Sequence, residues 1–275
     1  MSYLDKLVSA VSKNNSRLVI GLDPDLTKLP AFILKYKSPV TEFNRLIVEC
    51  TSDITAGYKL NMAFYEYLMK QGIDAVRETL EVIPGNLITV CDAKRSDIDN
   101  TAGMYAKTYF DVYGFDAITL SPYMGQDSVM PFLGSEDKFV YLLALTSNKS
   151  SGDFQMLKTD GRFLYEAVIE KSIRWSRKNN IGYVFGANHT EEIRMFAGSY
   201  PEISLLIPGI GAQANDLNKL MNSLGSKSNF IINSSRNIIY SFEYNCNERE
   251  FVDSVRYSAQ KLKEEINSLI VSERN

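Results

Sequence analysis

The sequence has few of the side chains on which common metal and acid–base sites depend. Its 275 residues include one histidine, one tryptophan and three cysteines. Cys50, Cys91 and Cys246 are odd in number and lack the spacing of metal ligands, and the apolar neighbours of the first two are typical of reduced core thiols. We therefore expect no metal site, and reduced thiols favour a cytoplasmic protein.

The sequence also lacks an excess of one charge and a long apolar run. Lys and Arg number 30, Asp and Glu number 33, and the basic residues are scattered, so we expect no nucleic-acid-binding surface. The longest uninterrupted apolar run covers residues 139–145, far short of the roughly 20 residues that span a bilayer. Residues 1–10 predict an amphipathic helix rather than an export signal. Neither membrane insertion nor export is expected.

What the sequence does contain is an alternation of short apolar segments with longer segments whose apolar residues recur at helical spacing. The eight strand candidates are residues 17–21, 54–60, 87–92, 117–120, 139–145, 183–186, 204–207 and 230–232. The helix candidates between and after them are residues 40–52, 64–82, 100–113, 164–179, 190–197, 217–224 and 250–271. Residues 149–160 are predicted to form a mobile loop.

Eight apolar strands separated by helices imply parallel pairing, and eight is the number that closes a (β/α)₈ TIM barrel. A doubly wound open sheet is the alternative, but only its strands near the switch point would contribute to a site. In this sequence polar residues follow strands along the whole chain, which favours the barrel as a single catalytic domain over residues 1–275. These residues are Asp23, Lys59, Asp92 with Lys94, Ser121, Ser147, Asn188, Gln213 and Arg236.

The most informative segment is residues 89–102, where an apolar strand runs directly into Asp92, Lys94 and Asp97. Side chains alternate along an extended backbone, so Asp92 and Lys94 are expected on one side of the strand end, with Asp97 a short turn later. A solvated charge cluster is the alternative interpretation. An isolated lysine, Lys59, ends another strand candidate, so two strand ends carry opposite charges.

Six short motifs occur in order along nearly the whole chain. They are Gly-Leu-Asp-Pro-Asp (21–25), Tyr-Lys-Leu-Asn (58–61), Asp-Ala-Lys-Arg-Ser-Asp-Ile (92–98), Leu-Thr-Ser-Asn (145–148), Ile-Pro-Gly-Ile-Gly-Ala-Gln (207–213) and Asn-Ser-Ser-Arg (233–236). In these motifs the chain resembles the orotidine 5′-monophosphate decarboxylase family, within it the subgroup with longer bacterial-type chains. Ser96 and Asp99 stand where that family more often has glycine. If glycine there serves a backbone with positive φ, we expect Ser96 to cost a little strain.

The resemblance implies decarboxylation of orotidine 5′-monophosphate at C6, the last step of de novo pyrimidine nucleotide synthesis, without a cofactor. The electron pair left at C6 cannot be accepted by the ring π-system, so a cation beside C6 stabilises it and an ammonium can then protonate it. Lys94 matches that role. Its implied partners are Lys59, Asp92 and Asp97, with Asp97 reaching in from the neighbouring subunit of a homodimer.

The resemblance also implies substrate-binding positions. Asp23 and Asn61 match contacts to the ribose hydroxyls, and Ser147 matches a group that hydrogen-bonds the pyrimidine edge. Ile98 and Thr101 match positions that accompany the aspartate from the partner. The implied phosphate site comprises Gly209, Gly211, Gln213, Ser235 and Arg236, since backbone N–H groups and an arginine at that end of a barrel suit an anion.

Two other functions remain open at this point. A related barrel family decarboxylates a keto-sugar phosphate with a metal ion and shares the Asp-x-Lys-x-x-Asp motif, but it has a carboxylate ligand where Lys59 stands. A catalytically silent nucleotide-binding barrel is the second alternative, against which four costly desolvated charges argue. His189 and Trp175 are interpreted as structural.

Overall fold

The structure is a computed structural model that describes residues 1–210, 217–225 and 229–272. Eight parallel strands close into a barrel, in which each strand pairs with the next along the chain and the last pairs with the first. The predicted (β/α)₈ barrel is confirmed and the open sheet is wrong. The barrel strands are β1 (Leu18–Leu22), β2 (Gly57–Asn61), β3 (Ile88–Arg95), β4 (Ala117–Leu120), β5 (Phe139–Leu145), β8 (Ile181–Phe185), β9 (Leu205–Pro208) and β10 (Phe230–Ser234).

Helices surround the barrel strands, and the first of them lies across one end of the barrel. They are α1 (Tyr3–Asn14), α2 (Pro39–Thr51), α3 (Ala63–Glu66), α4 (Lys70–Val82), α5 (Asp99–Ala106), α6 (Leu164–Ser172), α7 (Thr190–Ser199), α8 (Leu217–Leu224), α9 (Arg236–Ile239) and α10 (Glu248–Ser272). None of the helices in the described part of the chain combines the length and apolar composition that a membrane span requires.

Four predicted segments differ from the structure. The helix predicted over 100–113 is α-helical only to Ala106 and continues as a π-helix, Lys107–Val112. The single helix predicted over 64–82 is broken between α3 and α4 at Met69, whose φ is 54°. The helix predicted over 164–179 ends at Ser172. The loop predicted over 149–160 contains a 3₁₀ helix, Lys149–Asp153, and a short strand, β6 (Lys158–Thr159), which pairs antiparallel with β7 (Arg162–Phe163). Local side-chain patterns do not report such short elements.

Side chains of each strand alternate between two apolar layers, as the period of two requires. Val19, Val90 and Tyr141 belong to a cluster that fills the barrel interior. Their strand neighbours, such as Ile20 and Cys91, face the larger layer between barrel and helices. All three cysteines are buried free thiols.

Helix α1 closes the end of the barrel where the strands begin. It starts with a capping box between Ser2 and Asp5, and Tyr3 enters the interior cluster. The Tyr3 hydroxyl lies 3.2 Å from the Tyr141 hydroxyl, which lies 2.9 Å from Ser204 Oγ. A salt bridge of 2.8 Å between Lys6 and Asp116 fixes the helix to the start of β4. Among the described residues, the barrel interior is therefore closed at this end, which leaves the carboxyl ends of the strands as its open end.

Candidate active site

Strand alternation directs polar side chains into the barrel mouth. Lys59 lies two residues after the interior position Gly57, and Asp92 lies two residues after the interior residue Val90. Strands β2 and β3 are neighbours with Asn61 opposite Asp92. Because the interior is apolar towards the floor and polar at these strand ends, the charges gather at one face.

Lys59, Asp92 and Lys94 form a continuous chain of ion pairs. Lys59 Nζ lies 2.9 Å from Asp92 Oδ2, and Lys94 Nζ lies 2.6 Å from Asp92 Oδ1. The Lys59 and Asp92 side chains are 4% and 11% exposed, whereas Lys94 is 48% exposed. Asp92 is therefore held between a buried cation and one that reaches the opening.

This arrangement sets the ionisation of the buried pair. Burial acts to raise the pKa of Asp92, but the charges of Lys59 and Lys94 outweigh it and hold that pKa well below its usual value. Burial acts to lower the pKa of Lys59, and Asp92 and Asp23 outweigh it and raise that pKa. Both groups therefore remain charged at neutral pH although they are buried.

Strand β3 is irregular where it carries these charges. Between the aligned pairs Cys91–Ile118 and Arg95–Leu120, β3 has three residues and β4 has one. Within this bulge Lys94 has a φ of 49°, which a residue with a Cβ rarely adopts. A bulge commonly redirects a side chain next to a site, and here it turns the Lys94 ammonium back towards Asp92.

The departures from the glycine pattern have a different cost from the one expected. The φ of Asp99, at 48°, is in the left-handed region, whereas Ser96 is not among the residues with positive φ. The expected strain at Ser96 is therefore wrong, and the strain lies at Asp99. Ser96 has a different unfavourable feature, because its buried Oγ has no hydrogen-bond partner among the described residues.

A cavity of about 280 Å³ opens beside the ion-pair chain. Asp23 and Lys59 line one part of it, and Gly209, Ser235 and Arg236 line another. Asp23 Oδ1 accepts a hydrogen bond of 3.3 Å from the backbone N–H of Asn61, which ties the ends of β1 and β2 together. The cavity thus joins Asp23 and Lys59 to a group of residues suited to an anion, while Asp92 and Lys94 are not among its lining residues.

Two glycines shape the backbone around the part of the cavity lined by Gly209, Ser235 and Arg236, which we call the anion end. A Cβ added to Gly21 would lie 1.8 Å from Ser235 Oγ, so only glycine lets β1 approach this serine. Gly209 has a φ of 103°, a conformation that glycine adopts without strain. Arg236, the first residue of α9, is exposed. Gly211 and Gln213, also predicted at this end, lie outside the described residues.

The remaining predicted residues lie at the rim. Asp97 is half-buried and forms no ion pair with any described residue of this chain; its Oδ1 accepts the Ile98 N–H at 2.9 Å. Ile98 and Thr101 are exposed. Ser147 follows β5 and is half-buried, but it does not line the cavity. The single chain therefore assembles Lys59, Asp92 and Lys94 but not Asp97.

Several residues at the site were not predicted to act there. The Thr119 hydroxyl lies 2.9 Å from Asp92 Oδ1, and it accepts a hydrogen bond of 3.0 Å from the Lys94 N–H. Tyr240 lines the cavity and donates from its hydroxyl to the Asp23 carbonyl at 2.8 Å. Phe64 also lines the cavity. The available signal for Thr119 was a hydroxyl inside an otherwise apolar strand, two residues before the polar Ser121.

His189 lies outside the ion-pair chain. Its Nε2 lies 2.9 Å from the Thr146 carbonyl oxygen, and its Nδ1 lies 3.9 Å from Glu192. The contact with Thr146 joins the loops after β5 and β8. The structural interpretation of His189 therefore has a physical basis in the contacts it makes.

These features define a (β/α)₈-barrel enzyme with a lysine–aspartate–lysine chain at its mouth. The sequence model described as Orotidine 5′-phosphate decarboxylase / HUMPS family matches residues 16–243. The orotidine 5′-phosphate decarboxylase of Dehalococcoides mccartyi strain CBDB1 is 44% identical over 274 residues, covering 97% of this chain and 98% of the relative. That of Flavobacterium johnsoniae is 40% identical over 271 residues, covering 97% and 98%. The chain belongs to the orotidine 5′-phosphate decarboxylase / HUMPS family and is a carboxy-lyase.

Solved structures agree with this assignment. The OMP decarboxylase of Leishmania donovani superposes with a TM-score of 0.85 at 34% identity, covering 98% of this chain and 100% of that chain. The UMP synthase of the same organism gives a TM-score of 0.87 at 35% identity, and this chain covers 57% of its length. The barrel fold and the family are thus supported independently.

Proposed function

We propose that this protein converts orotidine 5′-monophosphate to uridine 5′-monophosphate and CO₂, the last step of de novo pyrimidine nucleotide synthesis, with residues 1–275 as one cytoplasmic catalytic domain. The observation that carries the proposal is the Lys59–Asp92–Lys94 chain beside a cavity whose other end, at Gly209, Ser235 and Arg236, suits an anion. The names of the relatives point to the same reaction.

Lys94 is the proposed acid. When the C6–CO₂ bond breaks, the electron pair stays on C6 and the nearby ammonium stabilises it. An N–H proton of Lys94 then passes to C6, and the neutral amine regains a proton from water. Asp92 fixes the ammonium, and Lys59 keeps the buried Asp92 carboxylate ionised. No cofactor takes part in these steps.

The other predicted residues bind substrate in this proposal. Asp23 and Asn61 contact the ribose, Ser147 contacts the pyrimidine edge, and the phosphate is held at the anion end of the cavity. Phosphate binding far from C6 supplies energy that positions the reacting ring. The proposed phosphate residues are Gly209, Gly211, Gln213, Ser235 and Arg236.

We also propose a homodimer in which Asp97 completes the partner's site. The Lys94 side chain is 48% exposed in a single chain, and Asp97 pairs with no lysine among the described residues. A second carboxylate from the partner would cover Lys94 and balance two positive charges with two negative ones. Ile98 and Thr101, which are exposed beside Asp97, would enter the partner's site with it.

The metal-dependent keto-sugar-phosphate decarboxylase is less well supported by this geometry. The Lys59 ammonium lies 2.9 Å from Asp92 Oδ2, where it takes up the carboxylate and repels a divalent cation. A silent nucleotide-binding barrel would have no use for a buried ion pair, because removing two charges from water is costly.

Ultraviolet absorbance tests the proposal directly. Purified protein is incubated with orotidine 5′-monophosphate, with and without EDTA, and loss of substrate absorbance is followed. We expect equal turnover in both samples. Absence of turnover would reject the enzyme activity, and turnover abolished by EDTA would favour the metal-dependent alternative.

A further inference from the structure

One residue of β4 faces the whole bulge of β3. In the pairing of these strands, residues 92–94 of β3 lie opposite Thr119 alone. Thr119 is 1% exposed. Its side chain is therefore enclosed beside the bulge, and its buried hydroxyl needs hydrogen-bond partners there.

The hydroxyl has a partner on each side of the bulge. It accepts a hydrogen bond of 3.0 Å from the Lys94 N–H and lies 2.9 Å from Asp92 Oδ1. Asp92 is an acceptor when ionised, so the single hydroxyl hydrogen points to Oδ1. One buried oxygen thus links the backbone of Lys94 to the carboxylate that holds its ammonium.

The link addresses two weak points of the local structure. Lys94 has a φ of 49°, a conformation that persists only where surrounding contacts enforce it. The Lys94 side chain is long and half-exposed, so one ion pair to Asp92 leaves its rotamers poorly restricted. Fixing both the Lys94 amide and the Asp92 carboxylate defines where the ammonium can lie.

We propose that Thr119 is a positioning residue, whose hydroxyl bridges the Lys94 amide and the Asp92 carboxylate and so sets the direction from which the Lys94 ammonium approaches the pyrimidine ring. This inference rests on the function proposed above. Thr119 is almost fully enclosed by protein, and it acts through Lys94 and Asp92 rather than on the substrate.

Thr89 offers a matched control at the opposite end of the barrel. It is also a buried threonine, and its hydroxyl donates to Asp116 Oδ2 at 2.9 Å and accepts from the Asp116 N–H at 3.1 Å. Thr89→Val therefore removes the same kind of bridge, between a carboxylate and a backbone N–H, at the floor. A loss of activity that merely follows lost stability would appear in this variant too.

The experiment compares wild type with Thr119→Val, Thr119→Ser and Thr89→Val. Thr119→Val should lower kcat by about tenfold to a hundredfold, since small misplacements of catalytic groups cost about this much, and should change KM by less than about threefold. Thr119→Ser should restore kcat, and Thr89→Val should leave it unchanged. Unchanged kcat in Thr119→Val, or an equal loss in Thr89→Val, would overturn the proposal.

A second measurement does not depend on activity. Amide hydrogen exchange of Lys94, followed by NMR, should accelerate in Thr119→Val and remain slow in Thr119→Ser. Unchanged exchange in Thr119→Val would refute the bridge whatever the kinetics show. If wild type has no turnover, the proposed function fails, while these exchange rates still decide whether Thr119 holds Lys94. Thr119→Ala replaces Thr119→Val if the valine variant does not fold.

Discussion

The Lys59 ammonium and the Asp92 carboxylate lie 2.9 Å apart where both side chains are almost closed to solvent. Removing the lysine would leave Asp92 buried with only Lys94 beside it. We expect Lys59→Ala to lower the free energy of unfolding by about 3 kcal/mol, as is usual when one partner of a buried pair is lost. Urea unfolding measures this change.

The control for that variant is Lys70→Ala. Lys70 pairs with Asp74 at 2.6 Å, but its side chain is 87% exposed, so its loss should cost less than about 1 kcal/mol. Equal losses in the two variants would show that burial does not set the contribution of the Lys59 pair.

Stability should depend on pH through Asp92. Its pKa is lowered in the folded state despite burial, because Lys59 and Lys94 favour the carboxylate. A lowered pKa contributes stability that is complete above the unfolded value of about 3.9 and is lost as the pH falls towards the folded value. The difference in unfolding free energy between wild type and Asp92→Asn should therefore be constant above about pH 5 and shrink below about pH 4.

That difference is measured by urea unfolding at a series of pH values. A difference that stays constant down to the acid transition would contradict the lowered pKa of Asp92.

Lys94→Ala should abolish turnover while nucleotide binding persists. The lysine acts on the developing carbanion, so its loss should lower kcat by at least about 10³-fold. Calorimetry should still detect uridine 5′-monophosphate. Lys107→Ala removes an exposed lysine just beyond α5 and should retain wild-type kcat. If the Lys94→Ala protein were active, Lys94 could not be the proton donor in the proposed mechanism.

Arg236→Ala should weaken substrate capture more than chemistry. Loss of a paired guanidinium–phosphate contact should raise KM by about tenfold or more. The same variant should turn over orotidine, which lacks the phosphate, no worse than wild type does. The control is Arg249→Ala, which removes an arginine that is 91% exposed on α10. This variant should keep the KM and kcat of the wild type. Unchanged KM and kcat in Arg236→Ala would place the phosphate elsewhere.

Gly21→Ala should disturb the anion end of the cavity. The added Cβ would lie 1.8 Å from Ser235 Oγ, so β1 or the start of α9 must shift. We expect a loss of about 1–3 kcal/mol in unfolding free energy together with a raised KM. Gly198→Ala in α7, where a Cβ meets nothing within 4 Å, should not lower stability. A wild-type KM in the Gly21→Ala protein would show that substrate binding does not depend on the observed position of Ser235.

Much of the barrel could be predicted because its strands are apolar on both faces and separated by polar segments. The predicted bounds 117–120, 139–145 and 217–224 coincide with β4, β5 and α8. The break at Met69 could not be predicted, since the apolar spacing continues across it while the backbone reverses. At the break α4 packs tightly on α3, since a Cβ added to Gly72 would lie 1.8 Å from the Tyr65 carbonyl oxygen, and the local apolar pattern does not report this contact.

The ion-pair chain shows where local reasoning fails. Simple alternation places Asp92 and Lys94 on one face of β3, and the two are indeed in contact. The contact nevertheless forms through a bulge with a left-handed Lys94 rather than through a regular strand. Bulges depend on the register with a neighbouring strand, here β4, so neither the Lys94 backbone nor the role of Thr119 is visible in the order of residues.

The closed floor of the barrel limits how ligands can enter and leave the proposed site. Helix α1 and its residue Tyr3 close the end of the barrel where the strands begin. A nucleotide bound in the proposed site would therefore enter and leave through the opening at the carboxyl ends of the strands. A lingering product would then occupy the very space that the next reactant needs. We therefore expect uridine 5′-monophosphate to compete with the incoming substrate for the same site, because the product cannot leave through the opposite end of the barrel.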